Sequence, residues 1–143
     1  MMKENLLAKS MITIHAPQAA VWSALVEPEA IKHYMFGTNV VSDWKPGSTI
    51  VWKGEWQGKP YEDKGQILKI EPERLLQYSH FSPLTGQPDL PENYHTVTVE
   101  VAGKGDQTTL TLTQDNNQNA EERQHAEQNW QGMLIKLKEF VEE

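Results

Sequence analysis

The apolar positions of this chain change period twice. Residues 8–15 alternate, with Ile12 and Ile14 on one side, the spacing of a strand. Pro17 follows and suits the first turn of a helix, where its missing N–H has no intrahelical partner to lose. Val21, Trp22 and Leu25 give that helix a buried face. Pro28 stops it and opens a second short helix, Glu29 to Tyr34, before a loop from Met35 to Asn39. Strand spacing then returns: Val40-Val41, Ser48 to Trp56, Tyr61 to Ile70, Leu75 to His80, Tyr94 to Ala102 and Gln107 to Gln114. The turns between them are short. Gln57-Gly58 suits a tight hairpin, Glu71–Arg74 carries Pro72 at its second position, and Gly103–Asp106 is a third. Connections this short make neighbouring strands antiparallel. After a polar linker, Asp115 to Asn119, the period becomes helical. Asn119 with Glu122 forms a capping-box pattern. Trp130, Met133, Leu134, Leu137, Phe140 and Val141 then make one apolar stripe, amid Gln, Lys and Glu, in a helix drawn to Glu143. A helix with one broad apolar face needs a partner, and the strands are the only large candidate.

The register of one hairpin follows from the pattern. Leu76, Tyr78 and His80 share a strand face, as do His95, Val97, Val99 and Val101. Apolar rows of paired strands fall on the same face of a sheet. Pairing Tyr78 with Val97 satisfies this, sets Leu76 beside Val99, and brings His80 beside His95 on the concave side. The intervening segment, Phe81 to Asn93, is long for a hairpin loop and carries Pro83, Pro88 and Pro91. Asp63 and Glu55 are expected to face each other across the hairpin that turns at Gln57-Gly58.

Composition narrows the class. A length of 143 residues suits a single domain, 1–143, with a real core. The net charge of −7 and the lack of a basic stripe argue against nucleic acid as a partner. There is no apolar run long enough for membrane insertion. The first ten residues, with an acid and lysines around a pair of Leu, do not read as a leader. Cysteine is absent, which removes disulfides, thiolate zinc sites and cysteine nucleophiles and fits a cytoplasmic location.

Three stretches carry a family resemblance: Ala16 to Leu25, the strand–turn–strand Gly65 to Leu75, and Asn129 to Leu137 read as Trp-x-x-x-Leu-x-x-Leu. In order and spacing the chain resembles the SRPBCC superfamily, also called START-like or birch-pollen-allergen-like. Within it, the heat-shock protein 90 ATPase activator homologue branch is the nearest. The resemblance implies an α+β helix-grip fold: a curved antiparallel β-sheet wrapped around a long C-terminal α-helix, with two short helices after the first strand. It also implies a cavity between helix and sheet, often holding an apolar ligand. Members range from lipid carriers and cyclases to co-chaperone domains, so the fold alone does not name the function. Eukaryotic members of the branch carry an additional domain for which this sequence leaves no room. A chaperone contact therefore ranks behind a small apolar or aromatic ligand as the expected partner.

Trp52, Tyr78, His80, His95, Trp130 and Met133 are the candidate lining of such a cavity, with Met35 as adaptable supplement. The loop Phe81–Asn93 is expected near its mouth, because it joins the strand ends that carry the histidines. Two histidines fall short of a zinc set. Asp89 or Glu92 would have to supply a third ligand, and no metal or other cofactor is expected. His15, His33 and His125 read as surface or cap residues. No Gly-x-Ser-x-Gly elbow, phosphate loop or His-Glu-x-x-His occurs. Ser79 and His80 are adjacent on a strand, so they point to opposite faces and do not form a nucleophile–base pair. The leading expectation is a binding protein without catalysis. A cyclase- or hydrolase-like enzyme using a cavity histidine is one alternative, and a chaperone-associated or stress-response interaction module is another.

Overall fold

The computed structural model describes residues 6–35, 37–83 and 86–142. Met1–Asn5, which enter the reading of the leader, and Glu143, to which the final helix was drawn, lie outside the described residues. Strand β1 (Leu6–Ile14) leads into helices α1 (Gln18–Val26) and α2 (Pro28–Tyr34). Six strands follow: β2 (Asn39–Ser42), β3 (Thr49–Trp56), β4 (Lys59–Glu71), β5 (Leu75–His80), β6 (His95–Lys104) and β7 (Gln107–Asn117). Helix α3 (Ala120–Glu142) closes the chain. The strands form one curved antiparallel sheet in the order β1-β7-β6-β5-β4-β3-β2, and the fold is the α+β helix grip.

Local chemistry accounts for the turns and ends. Gln57 and Gly58 both have positive φ, 51° and 79°, as a two-residue hairpin turn with the right twist requires. That turn pairs Trp56 with Lys59, and counting back pairs Glu55 with Pro60 and Trp52 with Asp63. The expected facing of Asp63 and Glu55 is therefore corrected: the tight turn leaves them three positions apart in register. At the start of α3 the Glu122 N–H donates to Asn119 Oδ1 at 2.8 Å. The Glu122 carboxylate reaches back to the Gln118 N–H at 3.1 Å, one residue earlier than the usual capping box.

Two bulges set the sheet apart from a simple alternating pattern. Between β4 and β5 the register shifts after Ile67, so that Ile67 opposes Tyr78 while Ile70 opposes Leu76. Ile67 is fully buried and Ile70 packs on the same core, although they are three residues apart. An extra residue in one strand is what reconciles that spacing with a two-residue period. In β7 a second shift, against β1, coincides with Asn116 at φ 57°. Asn tolerates this left-handed conformation. The strand thereby continues to Asn117, through residues expected to be linker. Asn117 is buried and satisfied: its Nδ2 donates to the carbonyls of Leu6 and Gln114, and its Oδ1 accepts from Gln114 Nε2.

Helix α3 lies along β1 and runs in the same direction. Ser10 Oγ donates to the Glu127 carbonyl at 3.0 Å, Lys138 Nζ to the Thr13 carbonyl at 3.0 Å, and the His15 N–H to Glu142 Oε2 at 2.8 Å. Met133, Leu134 and Leu137 are buried, and Trp130, Phe140 and Val141 pack on the same core. Because α3 is tied to the β1 edge, its first turns do not cover the far side of the sheet, where β3 and β4 turn.

Two buried phenols give the fold a pH signature. Burial pushes the Tyr34 and Tyr78 hydroxyls well above the ordinary phenol range. Tyr34 Oη also donates to the Ala24 carbonyl at 2.7 Å. A group with a raised folded pKa loses protons more readily when unfolded, so stability declines as pH rises beyond about 10. In an alkaline titration followed by tyrosinate absorbance, these two phenols are expected to ionise only together with the loss of circular dichroism. Ionisation of every tyrosine in the still-folded protein would contradict their burial.

Candidate functional site

A pocket of about 430 Å³ opens where α3 leaves the sheet uncovered. Its helix wall is built from His125, Ala126, Asn129, Trp130 and Met133, which follow one another at helical spacing. Met35 at the end of α2, Thr38, and Glu55 and Tyr61 from the β3–β4 hairpin form the other side. The volume falls in the usual range for small-molecule sites, and the walls combine aromatic and thioether surface with a few polar groups.

A smaller recess of about 60 Å³ lies deeper. Met35, Thr38, Tyr61 and Trp130 line both spaces, and Trp52, Asp63, Tyr78 and His80 complete the recess. Tyr61 stands at the junction because its partner across the hairpin is Gly54. A Cβ on Gly54 would lie 2.7 Å from the Tyr61 hydroxyl, so a larger residue here would force the ring to move. The Tyr61 and Thr38 hydroxyls share a hydrogen bond of 2.7 Å. On the helix side, Trp130 Nε1 donates to Gln114 Oε1 at 2.7 Å, which fixes the indole plane.

His80 and His95 are directly opposed in the β5–β6 register. Their rings nevertheless have separate surroundings. His80 Nε2 donates to Asp63 Oδ2 at 3.0 Å, and its ring meets the Trp52 ring edge-on at 5.0 Å. Both members of the pair are largely buried, with side-chain exposures of 24% for His80 and 16% for Asp63. His95 turns away: Nδ1 donates to the Asp115 carbonyl at 2.8 Å, and Nε2 lies 3.9 Å from Glu122 Oε1. His95 lines neither the pocket nor the recess. Of the six residues singled out from the sequence, Trp130 and Met133 therefore face the pocket, and Trp52, Tyr78 and His80 face the recess. His125 is exposed, as expected of a surface residue, and it also borders the pocket.

Asp63 was missed as a partner of His80, although the Gln57-Gly58 turn carried the signal. Counting from a two-residue turn puts Asp63 opposite Trp52, on the inner face. Asp63 Oδ1 is buried and has no hydrogen-bond partner among the described residues.

The loop of residues 81–94 does not rim the pocket; its described residues lie along the outer face of the sheet. Phe81 stacks on Tyr94 with ring centroids 5.1 Å apart. Tyr94 Oη donates to Asp89 Oδ1 at 2.6 Å, and Lys64 forms an ion pair with the same carboxylate. Lys64 and Phe81 belong to the face opposite Asp63 and His80, so these contacts draw the loop outward. They also occupy Asp89, one of the two carboxylates, with Glu92, weighed as a third metal ligand. Among the described residues, no three His, Asp or Glu side chains converge as a metal set. No helix among them is long and apolar enough to cross a membrane.

Comparison with known proteins fits this architecture. The family model described as "Activator of Hsp90 ATPase homolog 1-like protein" matches residues 15–142. ChR145 of Cytophaga hutchinsonii, known from a solution structure, is 58% identical over 99% of this chain and 97% of its own, with a TM-score of 0.86. CalU16 of Micromonospora echinospora is 23% identical over 96% of this chain and 85% of its own, with a TM-score of 0.71. A protein of Colwellia psychrerythraea described as the Aha1 dimer is 19% identical over 96% of each chain, with a TM-score of 0.74. The last two likenesses are likenesses of fold. No curated protein matches the sequence significantly. The chain belongs to the family of activator of Hsp90 ATPase homolog 1-like proteins, within the SRPBCC superfamily.

Proposed function

We propose that this chain is a binding protein for a small apolar or aromatic molecule, held between α3 and the sheet. The observation that carries the reading is the pocket of about 430 Å³ walled by Met35, Tyr61, Trp130 and Met133. Aromatic faces give large contact area, and methionines adapt to irregular shapes. The absence of cysteine fits action in the reducing cytoplasm. An interaction module would need a broad exposed apolar patch. The exposed large apolar side chains among the described residues, Leu7, Met11, Val41, Leu68, Leu90 and Ile135, are instead distributed over β1, β2, β4, the segment before β6, and α3.

A neutral aromatic probe such as 2-methoxynaphthalene tests this reading. It is expected to shift the Trp130 indole N–H resonance saturably. Ala126→Phe, which fills the pocket from the helix wall, should weaken the probe at least about tenfold. Ile135→Phe, on the exposed side of α3, should leave it unchanged. If the probe leaves Trp130 unperturbed, or binds the Ala126→Phe protein equally well, the binding reading fails.

The His80–Asp63 pair favours a second reading, an enzyme that uses His80 to exchange a proton with its substrate. A carboxylate that orients a histidine beside an aromatic cavity is an arrangement suited to general acid–base chemistry. The two readings separate on turnover. A binder returns its ligand unchanged, whereas an enzyme would lose turnover on His80→Ala while still binding.

A further inference from the structure

The neck between the outer pocket and the recess holds a hydrogen that the protein leaves unused. Thr38 and Tyr61 line both spaces, and their hydroxyl oxygens lie 2.7 Å apart. Each hydroxyl brings one hydrogen. One of the two makes the bond between the oxygens, whichever of them donates, and the other is left over. No acceptor among the described residues takes it. Gln114 Oε1 receives the Trp130 N–H, and Asp63 Oδ1 has no hydrogen-bond partner at all. Thr38 is 4% exposed, so the pair belongs to the interior, where a polar group without a partner is rare and costly. The backbone places it at the site. The hydroxyl end of Tyr61 lies over Gly54, so the ring crosses β3 from β4 to reach Thr38 beside β2, on the side of the pocket opposite α3.

We propose that the Thr38–Tyr61 pair selects the ligand: it donates its free hydrogen to the carbonyl oxygen of an uncharged aromatic molecule whose rings lie in the outer pocket against Met35, Trp130 and Met133. This rests on the binding reading above and names the ligand class for that site. A bound molecule expels the water that would otherwise accept the hydrogen, and one without an acceptor forfeits that bond. A carbonyl oxygen supplies the acceptor and brings no donor of its own. An alcohol would bring a second hydrogen, and Gln114 Oε1 beside it is already committed to Trp130. Charge narrows the choice further. The ionisable side chains around the pocket are Glu55, Glu122 and His125, and no lysine or arginine is among its lining. A carboxylate ligand would accept the hydrogen but would lose its hydration without gaining a cation. The pair also adapts to its ligand. Either oxygen can donate to the other, so the free hydrogen can sit on Thr38 or on Tyr61.

The test uses 2-acetonaphthone and 2-isopropenylnaphthalene, which share a shape and differ in a carbonyl oxygen against a CH2 group. Dissociation constants are read from the Trp130 indole resonance in the full chain at neutral pH. Because either hydroxyl alone still carries a free hydrogen, the decisive variant combines Thr38→Val with Tyr61→Phe. Replacing both partners of a hydrogen bond by apolar groups of the same shape is nearly neutral for folding. The affinity for the ketone relative to the alkene is expected to fall about tenfold in that variant, the effect of leaving a buried carbonyl unmet. In the wild-type complex the carbonyl carbon of ¹³C-labelled 2-acetonaphthone should resonate where it does in hydrogen-bonding solvent rather than in hydrocarbon. 2-Naphthoate, an anion at neutral pH, should bind more weakly than the ketone. An unchanged ratio in the double variant, or a hydrocarbon-like carbonyl resonance in the wild type, overturns the proposal and leaves the binding reading standing. Tighter binding of 2-naphthoate than of the ketone overturns it too, because the site would then take an anion. If neither neutral probe perturbs Trp130 in the wild type, both this inference and the binding reading fall. The wild-type carbonyl resonance decides by itself if the double variant does not fold.

Discussion

Leu137→Ala is expected to destabilise the protein by about 2–5 kcal/mol, the range for deleting a buried leucine side chain. Leu137 and Leu134 are fully buried on the inner stripe of α3. Both belong to the one core that also takes Ile14 from β1, Leu110 and Leu112 from β7, and Val21 and Leu25 from α1. A cavity there would touch the helix, the sheet and the short helices together, and a closely packed interior collapses only partly into such a space. Chemical denaturation of the two proteins measures the effect. Ile135→Ala, two residues away on the exposed side, serves as control and should change stability by less than about 0.5 kcal/mol. If Leu137→Ala falls within that surface range, α3 does not dock on the sheet through this stripe.

The parts of the fold that were legible are those governed by short-range rules. The change of period from two to 3.6 marked α3, and its apolar stripe named the residues that pack. The β5–β6 register followed from matching two rows of apolar residues, and it pairs His80 with His95 as expected. What the pattern could not show was a residue added to a strand. Ile67 and Ile70 read as lying on opposite faces, yet the bulge between them keeps both on the core. Asn116 likewise extends β7 through residues whose polarity reads as linker.

The site divided along the same line. Sharing a strand face was enough to bring Trp52, Tyr78 and His80 to one recess, because alternation alone decides which face a strand residue takes. Side-chain direction at a strand end is set by neighbours that no period reveals. The carbonyl of Asp115 turns the His95 ring away. The loop 81–94 is drawn outward by an aromatic stack and an ion pair between residues distant in sequence. The outer pocket itself arises from the tie of α3 to β1. That tie depends on side chain–backbone bonds from Ser10 and Lys138, which an apolar pattern does not record.

Gly65→Ala is expected to cost about 3 kcal/mol, at the upper end of the range for overpacking. Gly65 has no unusual φ, so conformational freedom is not the reason it is needed. The reason is approach: a Cβ at this position would press into the backbone carbonyl oxygen of Ser79 on β5, and a strand backbone cannot swing aside as a flexible side chain can. At this point the ladder is already irregular, since the Gln66 N–H donates to Ser79 Oγ at 3.0 Å. Backbone pairing holds on both sides, at Lys64 with Phe81 and at Ile67 with Tyr78. Alanine would therefore push the strands apart between two fixed points, next to Asp63 on one strand and His80 on the other. Two readouts separate this local wedge from general damage. Denaturation should show the loss of stability, and in the still-folded fraction the His80 imidazole resonances should move while those of His33, stacked on Phe140 at the far end of α3, stay in place. A folded Gly65→Ala protein of unchanged stability, with His80 unmoved, would show that the close approach of β4 and β5 does not hold the Asp63–His80 pair together.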